Sequence, residues 1–395
     1  MQIYRTSCLL LNQSQSSIGI MSQQKLTQDI QHLQAPAFWE KRGLKALLLW
    51  PVSLVFGWLT SLRKALYATG ILRSQSISVP LVIVGNIRVG GTGKTPTVLA
   101  IAKALHAHGF KPGIISRGYQ SNSSNAKSDP KEVTPESLSS EHGDEPCYMA
   151  QQLAHQKTPV MVHGNRVNAA KALLIKHPDV NVIISDDGLQ HYKLKRWPAR
   201  EGGRDIELVI RDDRGEGNQW LMPAGPLREN SHRPRDFTLN IVGTDATTSK
   251  ALPPYLQDAP NFAVPVKTDQ LYQLTTPSRR MDLNDVTQLL DLNEAPEKQL
   301  LAAAGLGNPK KFFDLLRSNG LKFQEMALPD HFDFSTNPFK ENTAKVILIT
   351  EKDAVKCKQL NDYKDDERIW ILPITVDLPN DLVVQMVEIL KRPKP

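Results

Sequence analysis

Cysteine is scarce in this chain. Its three residues, Cys8, Cys147 and Cys357, lie far apart and form no CxxC pair. That excludes a disulfide framework and a thiolate zinc site, and suits a reducing compartment. No tract of lysine and arginine is interleaved with aromatics. A nucleic-acid partner is therefore not expected, even though 48 Lys+Arg against 41 Asp+Glu give a net charge of +7. The start lacks a basic segment followed by an apolar one, so no cleaved signal peptide is expected. No long internal repeat appears, and no obligate protein partner is indicated. Residues 1–36 are rich in Gln and Ser without a sustained apolar face, and read as a disordered extension.

Charge is also missing from one internal stretch, the 17 residues from Ala46 to Leu62 (ALLLWPVSLVFGWLTSL). As a helix this covers roughly 25 Å, slightly less than a hydrocarbon core of about 30 Å. Lys41, Arg42 and Lys45 flank one end, and Arg63 and Lys64 the other, which leaves orientation open. Trp39, Trp50 and Trp58 suit headgroup depth, and Pro51 would bend or start the helix. Residues 37–75 are expected to form a membrane-associated helical segment, either spanning or lying in the interface. A buried helix of a soluble domain is the alternative.

From Ser76 onward strand-like and helix-like stretches alternate, the pattern of a mostly parallel sheet covered by helices. Apolar VPLVIV (Val79–Val84) leads into GNIRVGGTGKT, and TVLAIAKAL then carries Val98, Ile101, Ala102 and Leu105 at helical spacing. Glycines there let the backbone curl around phosphate, and the helix adds its positive end. The candidate nucleotide-binding residues are Arg88, Val89, Gly90, Gly91, Thr92, Gly93, Lys94 and Thr95. Lys94 would reach the β- and γ-phosphates of ATP and the Thr95 hydroxyl would ligate Mg²⁺. A glycine-rich strand-to-helix connection without a ligand is the bland reading. Arg88 stands where the general pattern wants glycine. Val89 stands where a related ATPase group has a second lysine, which argues against that group.

Other stretches carry candidate chemistry. NVIISDDGLQHYKL ends an apolar strand on Asp186 and Asp187, candidate Mg²⁺ ligands, or else an acidic turn before Gly188. Gln190 and His191 follow. GDEP places Asp144 at a helix start, where it is either a dipole-favoured capping acid or the acceptor of a substrate proton. SRGYQ puts Arg117 after a strand end, as a phosphate contact or a surface arginine. His331 lies in a loop among acids (LPDHFDFS), Arg228 in the Pro/Gly-fixed LMPAGPLRE, and Lys352 in TEKDAVK after a strand. Ser121–His142 reads as a long mobile loop. A second α/β stretch begins near Phe237, so residues 76–236 are expected to form a nucleotide-binding lobe and 237–395 a smaller C-terminal lobe.

Taken together and in this order, VGNIRVGGTGKTP, SRGYQ, GDEP, DDGLQHYKL, PAGPLRE, GNPKKFF, PDHFDF and TEKDAVK resemble the tetraacyldisaccharide 4′-kinase (lipid A 4′-kinase) family, from about Trp39 to about Leu378. The resemblance implies a P-loop NTPase-like fold of two α/β/α lobes joined by a hinge, with an N-terminal membrane-associated helix at the cytoplasmic face of the inner membrane. It implies transfer of phosphate from ATP, with Mg²⁺, to the 4′-hydroxyl of a lipid A disaccharide 1-phosphate precursor. By the same resemblance Asp144 and His331 form the catalytic pair, Lys94 and Thr95 hold phosphate and metal, and Asp186 and Asp187 are the strand-end acids. Three places depart from the family pattern: Arg88 replaces a small hydroxyl residue, WPAREGG (Trp197–Gly203) is inserted, and Arg211 occurs where an acid is expected. The last puts any Mg²⁺ role of Asp212 or Asp213 in doubt. A soluble P-loop ATPase or GTPase driving a conformational or metal-insertion cycle is the competing class, and a tethered nucleotide-binding module without transfer chemistry a third. The apolar Ala46–Leu62 run disfavours the second class, and the presence of Asp144 and His331 the third.

Overall fold

A computed structural model describes residues 36–118, 128–243 and 259–394. The expectation of disorder for residues 1–36 falls outside these, apart from Pro36.

Helix α1 (Leu44–Ala68) comes first. It is the one helix among the described residues long and apolar enough to cross a membrane, with 25 residues and a mean hydropathy of 1.4. At 1.5 Å per residue it measures about 37 Å, longer than its uncharged core suggests, and Pro51 lies inside it. Leu48, Val55 and Leu59 are 70%, 58% and 51% exposed, which removes the buried-helix alternative. Only Ala46 and Ser53 are buried. The Ser53 hydroxyl donates to the Leu221 carbonyl at 2.8 Å and accepts from the Ala224 N–H at 2.9 Å, so one narrow face docks on the 217–227 loop. Two of the tryptophans expected at headgroup depth are engaged with protein: Trp39 Nε1 donates to the Pro223 carbonyl (2.9 Å) and Trp50 packs on Trp220. Trp58 remains exposed.

The first lobe follows. Strands β1 (Leu81–Gly85), β2 (Pro112–Ser116), β3 (Lys131–Val133), β4 (Val160–Val162), β5 (Val182–Asp186), β6 (Ile206–Arg211), β7 (Phe237–Val242), β8 (Asn261–Thr268) and β15 (Ile374–Val376) form one nine-stranded sheet, ordered β15-β8-β7-β6-β1-β5-β2-β4-β3. Its interior strands are parallel; β3 and β15 run antiparallel at the two edges. Strands β1 and β5 are buried at all five positions, the continuous apolar run that a sheet covered on both faces requires. Helices α2 (Lys94–Ala107), α3 (Asp144–Gln152) and α4 (Arg166–Lys176) connect them, and α7 (Asn380–Leu390) returns to pack on α2.

The second lobe is a six-stranded sheet, β10-β9-β14-β13-β11-β12. It contains β9 (Leu271–Gln273), β10 (Arg280–Met281), β11 (Leu300–Ala304), β12 (Gln324–Ala327), β13 (Val346–Thr350) and β14 (Ile369–Leu372). Helices α5 (Pro309–Ser318) and α6 (Glu351–Cys357) cross over it. The chain passes between the sheets twice, at Asp269–Gln270 and at Pro373, and the two crossings are joined by Asp269 N–H donating to the Pro373 carbonyl at 3.2 Å.

Two expectations need correction. The boundary at 236/237 does not separate the lobes, because β7 and β8 extend the first sheet in parallel (Leu208↔Phe237, Leu239↔Phe262) and β15 and α7 return to it. The second lobe is thus an insertion between β8 and β15. The loop expected at Ser121–His142 is partly ordered: Lys131–Val133 pairs with β4 and Ser139–His142 forms a helical turn, while residues 119–127 lie outside the described ones.

Candidate active site

Three adjacent parallel strands deliver the first half of the site. In the register, Val84 of β1 faces Asp186 of β5 and Gly85 faces Val209 of β6. The phosphate-loop segment, the Asp186–Asp187 pair and the Arg211–Arg214 turn therefore leave from neighbouring C-terminal strand ends, where ligands collect in open α/β sheets.

Lys94 opens α2, and its Nζ donates to Asn86 Oδ1 at 3.1 Å. The Asn86 amide also donates to the carbonyls of Arg88 and Gly90, so one side chain ties the lysine to the loop that precedes it. Gly93 sits at φ 84°, in the left-handed region that glycine enters without penalty. Around Gly91 there is open space, Thr95 is half-buried, and the buried Thr92 hydroxyl has no hydrogen-bond partner. Arg88 does not join them. Its buried guanidinium pairs with Glu40 and donates to the carbonyls of Arg214 (3.1 Å) and Gly215 (3.2 Å). Val89 N–H is likewise spent on the Pro226 carbonyl at 2.9 Å. Arg88 thus fastens the N-terminal segment to the 214–215 turn beside the phosphate-loop segment.

The two strand-end acids differ. Asp186 is buried; Ser116 Oγ donates to its Oδ2 at 3.1 Å, and its Oδ1 has no partner. Burial, followed by the nearby Glu145 and Asp187, pushes its carboxyl up to about 7 against the pull of Lys94 and Arg166. Asp187 sits at φ 47° and takes a two-pronged bond from Arg228 Nη1, at 2.9 and 3.1 Å. Burial would raise it, yet Lys94 and Arg228 hold it below the usual carboxylate range. A buried carboxylate oxygen without a hydrogen-bond partner suits a cation, and Thr95, Asp186 and Asp187 offer the oxygen donors a magnesium ion prefers. Asp212 offers no such vacancy: Arg214 (2.6 Å) and Lys311 of the second lobe (2.6 Å) already neutralise it, and Arg211 is taken by Glu216.

The second lobe closes over this edge. A Cβ on Gly307 would meet Gly91 N at 3.7 Å, so the GLGNP turn lies against the phosphate-loop segment. The loop after β12 brings His331, itself at φ 60°, to the start of α3, where its Nδ1 lies 3.0 Å from Asp144 Oδ2. Burial raises the Asp144 carboxyl, but the His331 bond and the Lys356 charge hold it below its usual value. An ionised Asp144 fixes the proton on Nδ1 and the lone pair on Nε2.

The structure brings together Lys94, Thr95, Asp186, Asp187, Asp144 and His331, contributed by both lobes. Reading the sequence missed Asn86, which holds Lys94, and Arg166, whose buried guanidinium donates to the carbonyls of Asp186 (3.0 Å) and His163 (3.1 Å). It also missed Lys356, 3.0 Å from Asp144. Only the last left a signal, the i, i+4 spacing of Lys352 and Lys356 on one helix face. His191 is half-buried, and desolvation with nearby Arg166 pushes its imidazole down to about 3, so the ring is neutral.

Comparison with known proteins identifies the family. The family described as tetraacyldisaccharide-1-P 4′-kinase matches residues 45–391. A tetraacyldisaccharide 4′-kinase of Polynucleobacter asymbioticus is 46% identical over 365 residues, 92% of this chain and 97% of its own. One from a Janthinobacterium species is 47% identical over 359 residues, 89% and 94% of the two chains. Among solved structures, LpxK from Aquifex aeolicus in complex with ATP superposes with a TM-score of 0.66 at 26% identity, covering 87% of this chain and 99% of that one. The chain belongs to the tetraacyldisaccharide-1-P 4′-kinase family.

Proposed function

We propose that this chain carries out its family's reaction with Lys94, Asp144 and His331 as the working groups. It is an ATP-dependent tetraacyldisaccharide 4′-kinase, moving the γ-phosphoryl group of ATP to the 4′-hydroxyl of a lipid A disaccharide 1-phosphate precursor. The observation that carries the assignment of roles is the Asp144–His331 contact, formed between lobes beside the phosphate-loop segment. Lys94 neutralises charge on the phosphates. His331 Nε2 takes the acceptor hydroxyl's proton as the new O–P bond forms and the β–γ bridging bond breaks, and Asp144 stabilises the resulting imidazolium. ADP leaves, and His331 returns the proton to solvent. Thr95, Asp186 and Asp187 would hold Mg²⁺, which when bound offsets phosphate charge. The test is transfer of radiolabel from [γ-³²P]ATP to a tetraacyldisaccharide 1-phosphate; no labelled lipid product would overturn the reading.

The two acids are separable. Asp186→Asn is expected to raise the Mg²⁺ concentration for half-maximal rate by about tenfold or more, since it removes the carboxylate charge. Asp187→Asn, whose partner is Arg228, is expected to do less. The raised Asp186 value also sets a pH dependence: as pH falls through about 7 the carboxyl takes up a proton and metal binding weakens. Binding of Mn²⁺, followed by electron paramagnetic resonance, checks both, and unchanged affinity in Asp186→Asn would remove it from the metal site.

The exposed face of α1 suits a membrane surface at the cytoplasmic side of the inner membrane, where the lipid substrate is presented. Burying each exposed leucine or valine there contributes on the order of 1–2 kcal/mol. Replacing Leu48, Val55 and Leu59 together by Gln spares the Ser53 face. The variant is expected to shift to the soluble fraction, with a higher apparent KM for lipid and little change for ATP. An unchanged membrane fraction would count against the role.

A further inference from the structure

We propose that Lys356 is a positioning residue for phosphoryl transfer: its ammonium clamps Asp144 and the His331 loop into one arrangement. The proposal rests on the reading of Asp144 and His331 as the proton-accepting pair. Lys356 lies in α6 with its side chain 5% exposed. A buried cation is stable only when its donors are used. Nζ lies 3.0 Å from Asp144 Oδ2, the same oxygen that faces His331 Nδ1 at 3.0 Å. It donates to the Phe332 carbonyl at 2.6 Å, one residue beyond His331. It also lies 5.6 Å from the Phe334 ring centroid, and Phe334 shares with His331 a left-handed backbone (φ 58° and 60°). One ammonium therefore touches the first-lobe acid and, at two points, the second-lobe loop that carries the base. Its neighbour one turn earlier, Lys352, faces Glu145 and Asp330, each at 3.5 Å, and so is committed elsewhere.

The charges around Asp144 come from three elements. Its own helix contributes Glu145 and Cys147, the latter pushed by burial and by Asp144 up to about 12 and so neutral. Helix α6 contributes Lys352, Lys356 and the buried Asp353, and the loop after β12 contributes Asp330 and His331. Of the two lysines, Lys356 is the one in contact with the Asp144 carboxylate. Removing its positive charge makes the pair easier to protonate. Activity, which requires an unprotonated pair, is then lost at higher pH.

The experiment compares Lys356→Met, Lys356→Gln and Lys356→Arg in the full chain, recording kcat against pH at saturating ATP and lipid, together with ATP binding. Lys356→Met is expected to lower kcat by about 10–100-fold and to move the acid limb up by roughly one pH unit or more, with ATP affinity unchanged. Lys356→Gln keeps a donor for the Phe332 carbonyl without the charge. It covers the case in which the methionine variant fails to fold, and should show the same displacement. Lys356→Arg should return the acid limb toward its original position. A uniform fall in kcat with an unmoved acid limb in both uncharged variants would overturn the proposal. So would near-normal kcat in them while Asp144→Asn is inactive. Near-normal kcat in Asp144→Asn would instead overturn the underlying reading of the pair.

Discussion

Lys94→Ala is expected to lower kcat by about 10²–10³-fold. Phosphoryl transfer leaves little covalent work for the protein, so the rate depends on positioning and on charge placed where phosphate oxygens gain it. Lys94 supplies that charge from the start of α2, held by Asn86 Oδ1 at 3.1 Å. It also opposes the acids, lowering both Asp186 and Asp187. Without it, Asp186 rises further and the metal site holds its proton more tightly near neutral pH. The deficit should therefore be only partly relieved by excess Mg²⁺. Lys94→Arg should not rescue, because a planar guanidinium cannot take the place of a compact ammonium bonded to the Asn86 amide oxygen. Single-turnover transfer of label from ATP to the lipid, alongside ATP binding, separates the chemical loss from the binding loss. A kcat within tenfold of wild type would mean that the phosphates are not held by this loop.

How far these groups could be read from sequence follows from how local each signal is. The phosphate-loop segment and the DDG turn were legible because strand, glycine turn and helix succeed one another within a few residues. The long apolar helix α1 was legible from an uncharged run. Arg88 misled because its position in the loop suggested a phosphate contact, whereas its partners, Glu40 and the carbonyls at 214 and 215, lie far away in sequence. The lobe boundary misled for a topological reason. Strands β7, β8 and β15 extend the first sheet through parallel and antiparallel pairing that no local periodicity encodes, and the second lobe interrupts them between β8 and β15. Lys356 was passed over because its meaning depends on α3 and α6 packing together across the cleft, while its sequence context reads as an ordinary helix start after a strand.

Asp144→Asn and His331→Ala are each expected to lower kcat by about 10²–10⁴-fold, the contribution of a positioned base, while leaving ATP binding near normal. A sugar hydroxyl is far too weakly acidic to ionise at neutral pH, so its proton must pass to a group already in place. Asp144 is well suited to support that group and not to replace it. Held below the usual carboxylate range by the His331 bond and the Lys356 charge, it is too weak a base to take the proton itself. It can fix the imidazole tautomer and stabilise the imidazolium. The two residues then act as one unit, and their losses should not multiply: the double variant should be little worse than the worse single one. Asp144→Asn retains the size of the side chain but loses the charge, so its deficit should lie in kcat and not in KM for ATP. Fully multiplicative losses would assign the two residues to separate steps. Near-normal kcat in Asp144→Asn would reduce Asp144 to a helix-start acid that answers the α3 dipole and bridges the lobes, with no part in moving the proton.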